Sequence, residues 1–111
     1  MDIHIQPRDG IAIVAIAGSV DGLTADTLLA TLQTHVEDGN TRLVVDLSAV
    51  EYTSSAGLRA LLATVKEARR RGGDLRLAQI NPNVRKVLEL SGFATILKIY
   101  AEVDEAVDSY A

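Results

Sequence analysis

Apolar positions recur along this chain with two alternating periods. Ile3-His4-Ile5-Gln6 alternates apolar and polar, the period-two signature of a half-buried strand. Arg8-Asp9-Gly10 interrupts it as a turn, and Ile11 to Ala17 follows as a nearly continuous apolar run of strand length. The two segments predict a hairpin. The spacing then becomes helical: Ala25, Leu28, Leu29, Leu32 and Val36 share one face, with Thr24 as N-cap and Gly39-Asn40 as terminator. Leu43-Val44-Val45-Asp46-Leu47 is a compact strand. Leu58, Leu61, Leu62, Val65 and Ala68 mark a second helix, which Gly72-Gly73 stops.

The alternation resumes over Leu75 to Ile80. Asn81-Pro82 starts a third helix, because Asn caps and Pro suits the first helical position. Val84, Val87 and Leu88 face its core side, and Gly92 closes it. Phe93 and Ile96 to Tyr100 predict the last strand; Val103, Ala106, Val107 and Tyr110 predict the last helix. The order is β-β-α-β-α-β-α-β-α. It predicts an α/β domain with a mixed, mostly parallel sheet of four to five strands, joined by right-handed crossovers. If sheet order follows chain order, the crossover helices lie mainly on one face. Ala12, Val14, Ile16 and Val44 are then expected on the other face, with Arg76 and Lys98 further out. That face has no evident cover: it is either a partner surface or a closed-over edge of the core.

The stretch with chemical potential is Thr53-Ser54-Ser55-Ala56-Gly57-Leu58. Two adjacent serines stand where a strand has ended and a helix begins. A helix start presents unpaired N–H groups and the positive end of the dipole, which suits an anion, including a phosphate made on the serine itself. Ser and Thr are also preferred N-caps, and one serine suffices for that role. Glu or Gln is absent three residues on, so there is no capping box. Gly57 costs about 1 kcal/mol against Ala inside a helix, but lets something approach the helix start closely. Upstream, Gly18-Ser19-Val20-Asp21-Gly22 is a tight loop. Asp21 either forms an Asx turn there or lines a site beside Ser55.

Leu43-Val44-Val45-Asp46-Leu47-Ser48 with Val50 to Arg59 resembles the STAS domain, shared by bacterial anti-sigma factor antagonists and the cytoplasmic tails of sulphate transporters. Gly18-Ser19-Val20-Asp21 is similar to the family's Gly-Glu-Leu-Asp. Asn81-Pro82-Asn83-Val84-Arg85-Lys86-Val87 and Leu90-Ser91-Gly92 extend the resemblance over nearly the whole chain. In the antagonists the central loop typically reads Asp-Ser-Ser/Thr-Gly-Leu, and a partner anti-sigma kinase phosphorylates the first hydroxyl after the Asp. Aligned on Gly57-Leu58, that acceptor is Ser55. Ser54 stands at the Asp position, Ala56 at the second hydroxyl and Ser19 at the family's Glu. The resemblance implies a phosphorylation-switched binding module, partnered by an anti-sigma factor serine kinase and a phosphatase. It implies a partner-binding surface of Asp21, Thr53, Ser54, Ser55, Gly57 and Arg59. The alternative it leaves is a constitutive STAS subunit of a transporter or signalling complex.

Composition narrows the rest. The 111 residues suit a single domain, 1–111, and 48% hydrophobic content supports a real core. Aromatics are only 4%, so that core is built from Leu, Ile, Val and Ala. With no cysteine there is no thiolate metal site and no thiol nucleophile. A net charge of −4 disfavours direct nucleic-acid binding. The one basic cluster, Arg69-Arg70-Arg71, falls where cations offset a helix dipole. No run of about 18 apolar residues suggests a membrane span. Met1 to Ile5 lacks the basic-then-apolar plan of a signal peptide, so a cytoplasmic protein, monomeric in isolation, is expected. His4 and His35 belong to separate segments and are read as surface residues, not metal ligands. Ser55 lacks a Gly-x-Ser-x-Gly elbow, and no Gly-rich phosphate or dinucleotide loop is present. The expectation is a non-enzyme without cofactor.

Overall fold

A computed structural model describes residues 1–111. The chain forms β1 (Asp2–Arg8), β2 (Ile11–Ala17), α1 (Ala25–Glu37), β3 (Arg42–Ala49), α2 (Ser55–Arg70), β4 (Asp74–Ala78), α3 (Pro82–Ser91), a short 3-10 turn (Phe93–Thr95), β5 (Lys98–Tyr100) and α4 (Val103–Asp108). One five-stranded sheet runs in the order β1-β2-β3-β4-β5. Its first pair is antiparallel and the other three are parallel. Arg8 pairs with Ile11, so the hairpin loop is Asp9-Gly10, with φ of 54° and 78°. Two consecutive positive φ values are the turn geometry that matches strand twist, and Asp-Gly is a favoured sequence for it.

Each crossover steps to the next strand in the same direction. Right-handed connections therefore put α1, α2 and α3 on one face of the sheet. Leu28 and Leu32 of α1, Leu58, Leu61 and Val65 of α2, and Val84 and Leu88 of α3 pack there against Leu43, Val45, Leu75 and Leu77. The last helix follows the last strand and crosses over nothing. It turns to the opposite face, where Ala106 and Val107 cover Ile11, Val44 and Ala78.

The structure corrects the sequence expectations at several points, the first by this register. Ala12 pairs with Leu43 and Ile13 with Val44. Ala12, Val14 and Ile16 therefore join the main core, on the opposite side of the sheet from Val44. A continuous apolar run carries no period from which to assign faces, and β2 is such a run. The second face is also covered, by α4. Tyr110, just beyond that helix, donates its hydroxyl to the carbonyls of Leu43 and Asp74 at 2.7 and 2.8 Å. Its ring lies 3.9 Å from the Arg76 guanidinium carbon. Phe93, expected in the last strand, belongs to the 3-10 turn; that strand is only Lys98–Tyr100.

Candidate functional site

The loops after β2 and β3 leave the carboxyl ends of neighbouring parallel strands, so both emerge at the same end of the sheet. They are joined there by an isolated parallel bridge between Val20 and Thr53. Val20 N donates to the carbonyl of Tyr52 at 3.0 Å, and Ser54 N donates to the carbonyl of Val20 at 2.7 Å. The Asp21 loop and the serine loop are thus one backbone unit.

Ser54 is the N-cap of α2. Its backbone is extended, with φ −81° and ψ 169°, and its Oγ accepts from Gly57 N at 3.2 Å. Ser55 is the first residue of the helix and is exposed. Ser54 is therefore the cap, and Ser55 stands exposed one residue later at the helix start.

Thr53 and Gly57, expected on a partner-binding surface, are buried. Thr53 is 5% exposed and directs its Oγ1 to the carbonyl of Ser54 at 3.2 Å. A Cβ on Gly57 would stand 2.5 Å from Thr53 Oγ1 and 2.7 Å from Val20 Cγ1. The close approach that the glycine permits is therefore made by the protein's own bridge. These two residues set the loop's position from beneath.

Asp21, Ser55 and Arg59 are exposed and Ser54 is partly so. Asp21 Oδ1 accepts from Leu23 N at 2.9 Å and Thr24 N at 3.0 Å. These backbone bonds, Thr24 first and Leu23 second, hold the Asp21 carboxyl below its ordinary range. The bond to Leu23 N closes an Asx turn ahead of α1, and Thr24, expected as the N-cap, occupies that position without a side-chain capping bond. Glu51 is exposed in the loop itself. Asp46, by strand alternation, shares the α4 face with Val44 and is turned away from α2. Its carboxylate accepts from Ser48 N at 2.9 Å.

Asn81, the expected cap of α3, accepts at Oδ1 from Val84 N at 2.8 Å. The other half of its amide makes a contact that local sequence does not signal. Nδ2 donates to the carbonyl of Val50 at 2.7 Å, which ties the serine loop to α3. Leu23 and Tyr52 are large apolar side chains placed in loops, a signal present in the sequence but without a period. They are 90% and 54% exposed.

The histidines do not converge on Ser55. His4 lies on β1 opposite Ala15, and His35 lies in the last turn of α1 with its Nδ1 3.5 Å from Asn40 Nδ2. Arg70 and Arg71 both pair with Glu67, and Arg69 pairs with Asp74, all at the far end of α2. What the arrangement can do chemically is offer a hydroxyl for modification at a pre-shaped, partly acidic surface.

The sequence matches the STAS domain over residues 2–106. It is 38% identical over 99 residues to BtrV of Bordetella bronchiseptica, a candidate anti-sigma factor antagonist, covering 89% of this chain and 85% of that protein. The fold superposes on an anti-sigma factor antagonist from Mycobacterium paratuberculosis with a TM-score of 0.88 and 30% identity, over 97% of this chain and 92% of that one. A candidate antagonist from Thermotoga maritima gives a TM-score of 0.92 at 23% identity, over 96% and 92% of the two chains, a likeness of fold. No helix is long and apolar enough to cross a membrane. With the β1-to-β5 sheet, the three helices on one face and a sequence match spanning almost its full length, the chain belongs to the STAS domain family.

Proposed function

We propose that this chain is an anti-sigma factor antagonist switched by phosphorylation of Ser55, acting as a single non-enzymatic binding domain in the cytoplasm. Unphosphorylated, it binds an anti-sigma factor kinase and so frees a sigma factor; phosphorylated, it releases the kinase, and a phosphatase resets it. The observation that carries this reading is the division of labour between the serines. Ser54 supplies the N-capping oxygen, and Ser55 stands exposed one residue later on a loop bridged through Thr53 to Val20, the neighbour of Asp21. The relatives at 38% and 30% identity, both named for sigma-factor regulation, support the same partner class.

A phosphate on Ser55 adds about −1.5 to −2 charges at pH 7. At the first turn of α2 the dipole favours that charge by about 0.3–1 kcal/mol, so the fold tolerates it. The cost falls on the complex. A phosphate buried against a face shaped for a neutral hydroxyl and for Asp21 loses water without gaining partners, a penalty of several kcal/mol. Arg59 lies one helical turn from Ser55 and contributes the surface's cation.

The test is affinity capture from the source cells, mass spectrometry of the captured proteins, and incubation of the purified partner with ATP and this chain. Recovery of a kinase that phosphorylates Ser55 supports the reading. Recovery of membrane transport components alone would assign the chain to a constitutive STAS subunit instead.

A further inference from the structure

Four large apolar side chains are exposed in this domain: Leu23, Tyr52, Leu90 and Ile96. Scattered apolar exposure on a soluble surface is ordinary and carries no message. Leu23 and Tyr52 are not scattered. Leu23 follows Val20 by three residues and Tyr52 precedes Thr53 by one, so they flank the bridge that joins the two loops.

Their backbones are also fixed. Leu23 N donates to Asp21 Oδ1 at 2.9 Å, and the Tyr52 carbonyl accepts from Val20 N at 3.0 Å. An apolar side chain that points into water from a tethered backbone has part of its ordering cost already met before a partner arrives. Large anchors surrounded by polar groups are also where binding energy concentrates. The surroundings here are mainly acidic: Asp21, Asp26 and Glu51 are exposed in the same loops and in the first turn of α1.

Resting on the proposed function, we infer that Leu23 and Tyr52 are the two apolar anchors of the kinase-binding surface, and that the kinase meets them with apolar recesses rimmed by basic side chains. Asp21 then has two roles. It faces the basic rim with the carboxylate oxygen left free, and it holds Leu23 in place with the other. Ser55 follows Tyr52 by three residues on the same bridged backbone unit, so a phosphate there enters the apolar, water-excluded zone inside the rim and meets none of the rim's basic side chains.

The experiment is calorimetric titration of the purified anti-sigma factor kinase with wild type, Leu23→Ala, Tyr52→Ala, Tyr52→Phe and Leu90→Ala, all unphosphorylated. Leu90 is 79% exposed on α3 and serves as the control for apolar exposure alone. Leu23→Ala and Tyr52→Ala are each expected to weaken binding by about tenfold or more, with Tyr52→Phe and Leu90→Ala within about twofold of wild type. Melting temperatures of Leu23→Ala, Tyr52→Phe and Leu90→Ala should match wild type, and that of Tyr52→Ala, a residue 54% exposed, is taken alongside so that any loss of fold is separated from loss of binding. The wild-type affinity should also fall with added salt, as a basic rim requires. If wild type binds but Leu23→Ala and Tyr52→Ala bind equally well, the anchors are refuted and the proposed function stands. If Leu90→Ala loses as much as they do, the surface lies elsewhere. If wild type does not bind the kinase, the proposed function itself fails and takes the anchors with it.

Discussion

The backbone of Val20 brackets that of Thr53: its N–H reaches the carbonyl of Tyr52 at 3.0 Å, and its carbonyl receives the N–H of Ser54 at 2.7 Å. Two hydrogen bonds thereby fix the distance between the Asp21 loop and the exposed Ser55. The side chains of the same pair press on Gly57, where a methyl group would lie 2.7 Å from Val20 Cγ1 and 2.5 Å from Thr53 Oγ1. The first turn of α2 can seat against the bridge only because residue 57 has no side chain.

Gly57→Ala tests that contact. Helix propensity alone favours alanine by about 1 kcal/mol. The account expects the opposite sign, a destabilisation of about 1–3 kcal/mol from overpacking against the bridge. Denaturant unfolding measures it. A stabilised Gly57→Ala variant would show that α2 does not rest on Val20 and Thr53.

The two serines should separate on stability. Ser54→Ala removes the oxygen that accepts from Gly57 N and is expected to cost about 1 kcal/mol. Ser55→Ala should leave the melting temperature within a degree or two, since Ser55 is exposed and is not the cap. Thermal unfolding of the two variants side by side decides it. Equal losses would mean that the capping role is shared.

Most of this architecture was legible because period and punctuation agree. Asn81-Pro82 starts α3 and Gly72-Gly73 ends α2, as cap and breaker chemistry require. The faces of β2 were not legible, since Ile11 to Ala17 is apolar throughout and only pairing with β3 assigns Ala12 to one side and Ile13 to the other. The choice between Ser54 and Ser55 as cap also lay beyond spacing. The extended backbone of Ser54 determines it, and that follows from the bridge to Val20, a contact between residues more than thirty apart in sequence. For the same reason Gly57 and Thr53 looked like surface residues. Leu23 and Tyr52 are not legible as surface anchors because a single apolar residue in a loop has no period.

Alkaline pH should weaken the attachment of the C-terminal segment. Burial first, and the neighbouring Asp74 carboxylate second, push the Tyr110 phenol above its ordinary range. A raised folded value stabilises the protein fully below the unfolded tyrosine's value of about 10, and that contribution is lost as pH rises from there through the folded value. Tyr110→Phe removes the hydroxyl that reaches Leu43 and Asp74 and should cost about 1 kcal/mol at neutral pH. It should also flatten the decline in stability above about pH 10. Urea unfolding of both proteins at pH 7 and pH 11 provides the comparison. An identical alkaline decline in both would remove Tyr110 from the explanation.

One phosphate on Ser55 is expected to disable binding while leaving the domain folded. The most direct measurement is the affinity of the purified anti-sigma factor kinase for the unphosphorylated chain and for the chain phosphorylated fully at Ser55, with the melting temperature of each form taken alongside. The account predicts binding weaker by about thirtyfold or more, at an unchanged or slightly higher melting temperature. Equal affinity of the two folded forms would contradict it, as would a kinase that places its phosphate on Ser54 and leaves Ser55 unmodified.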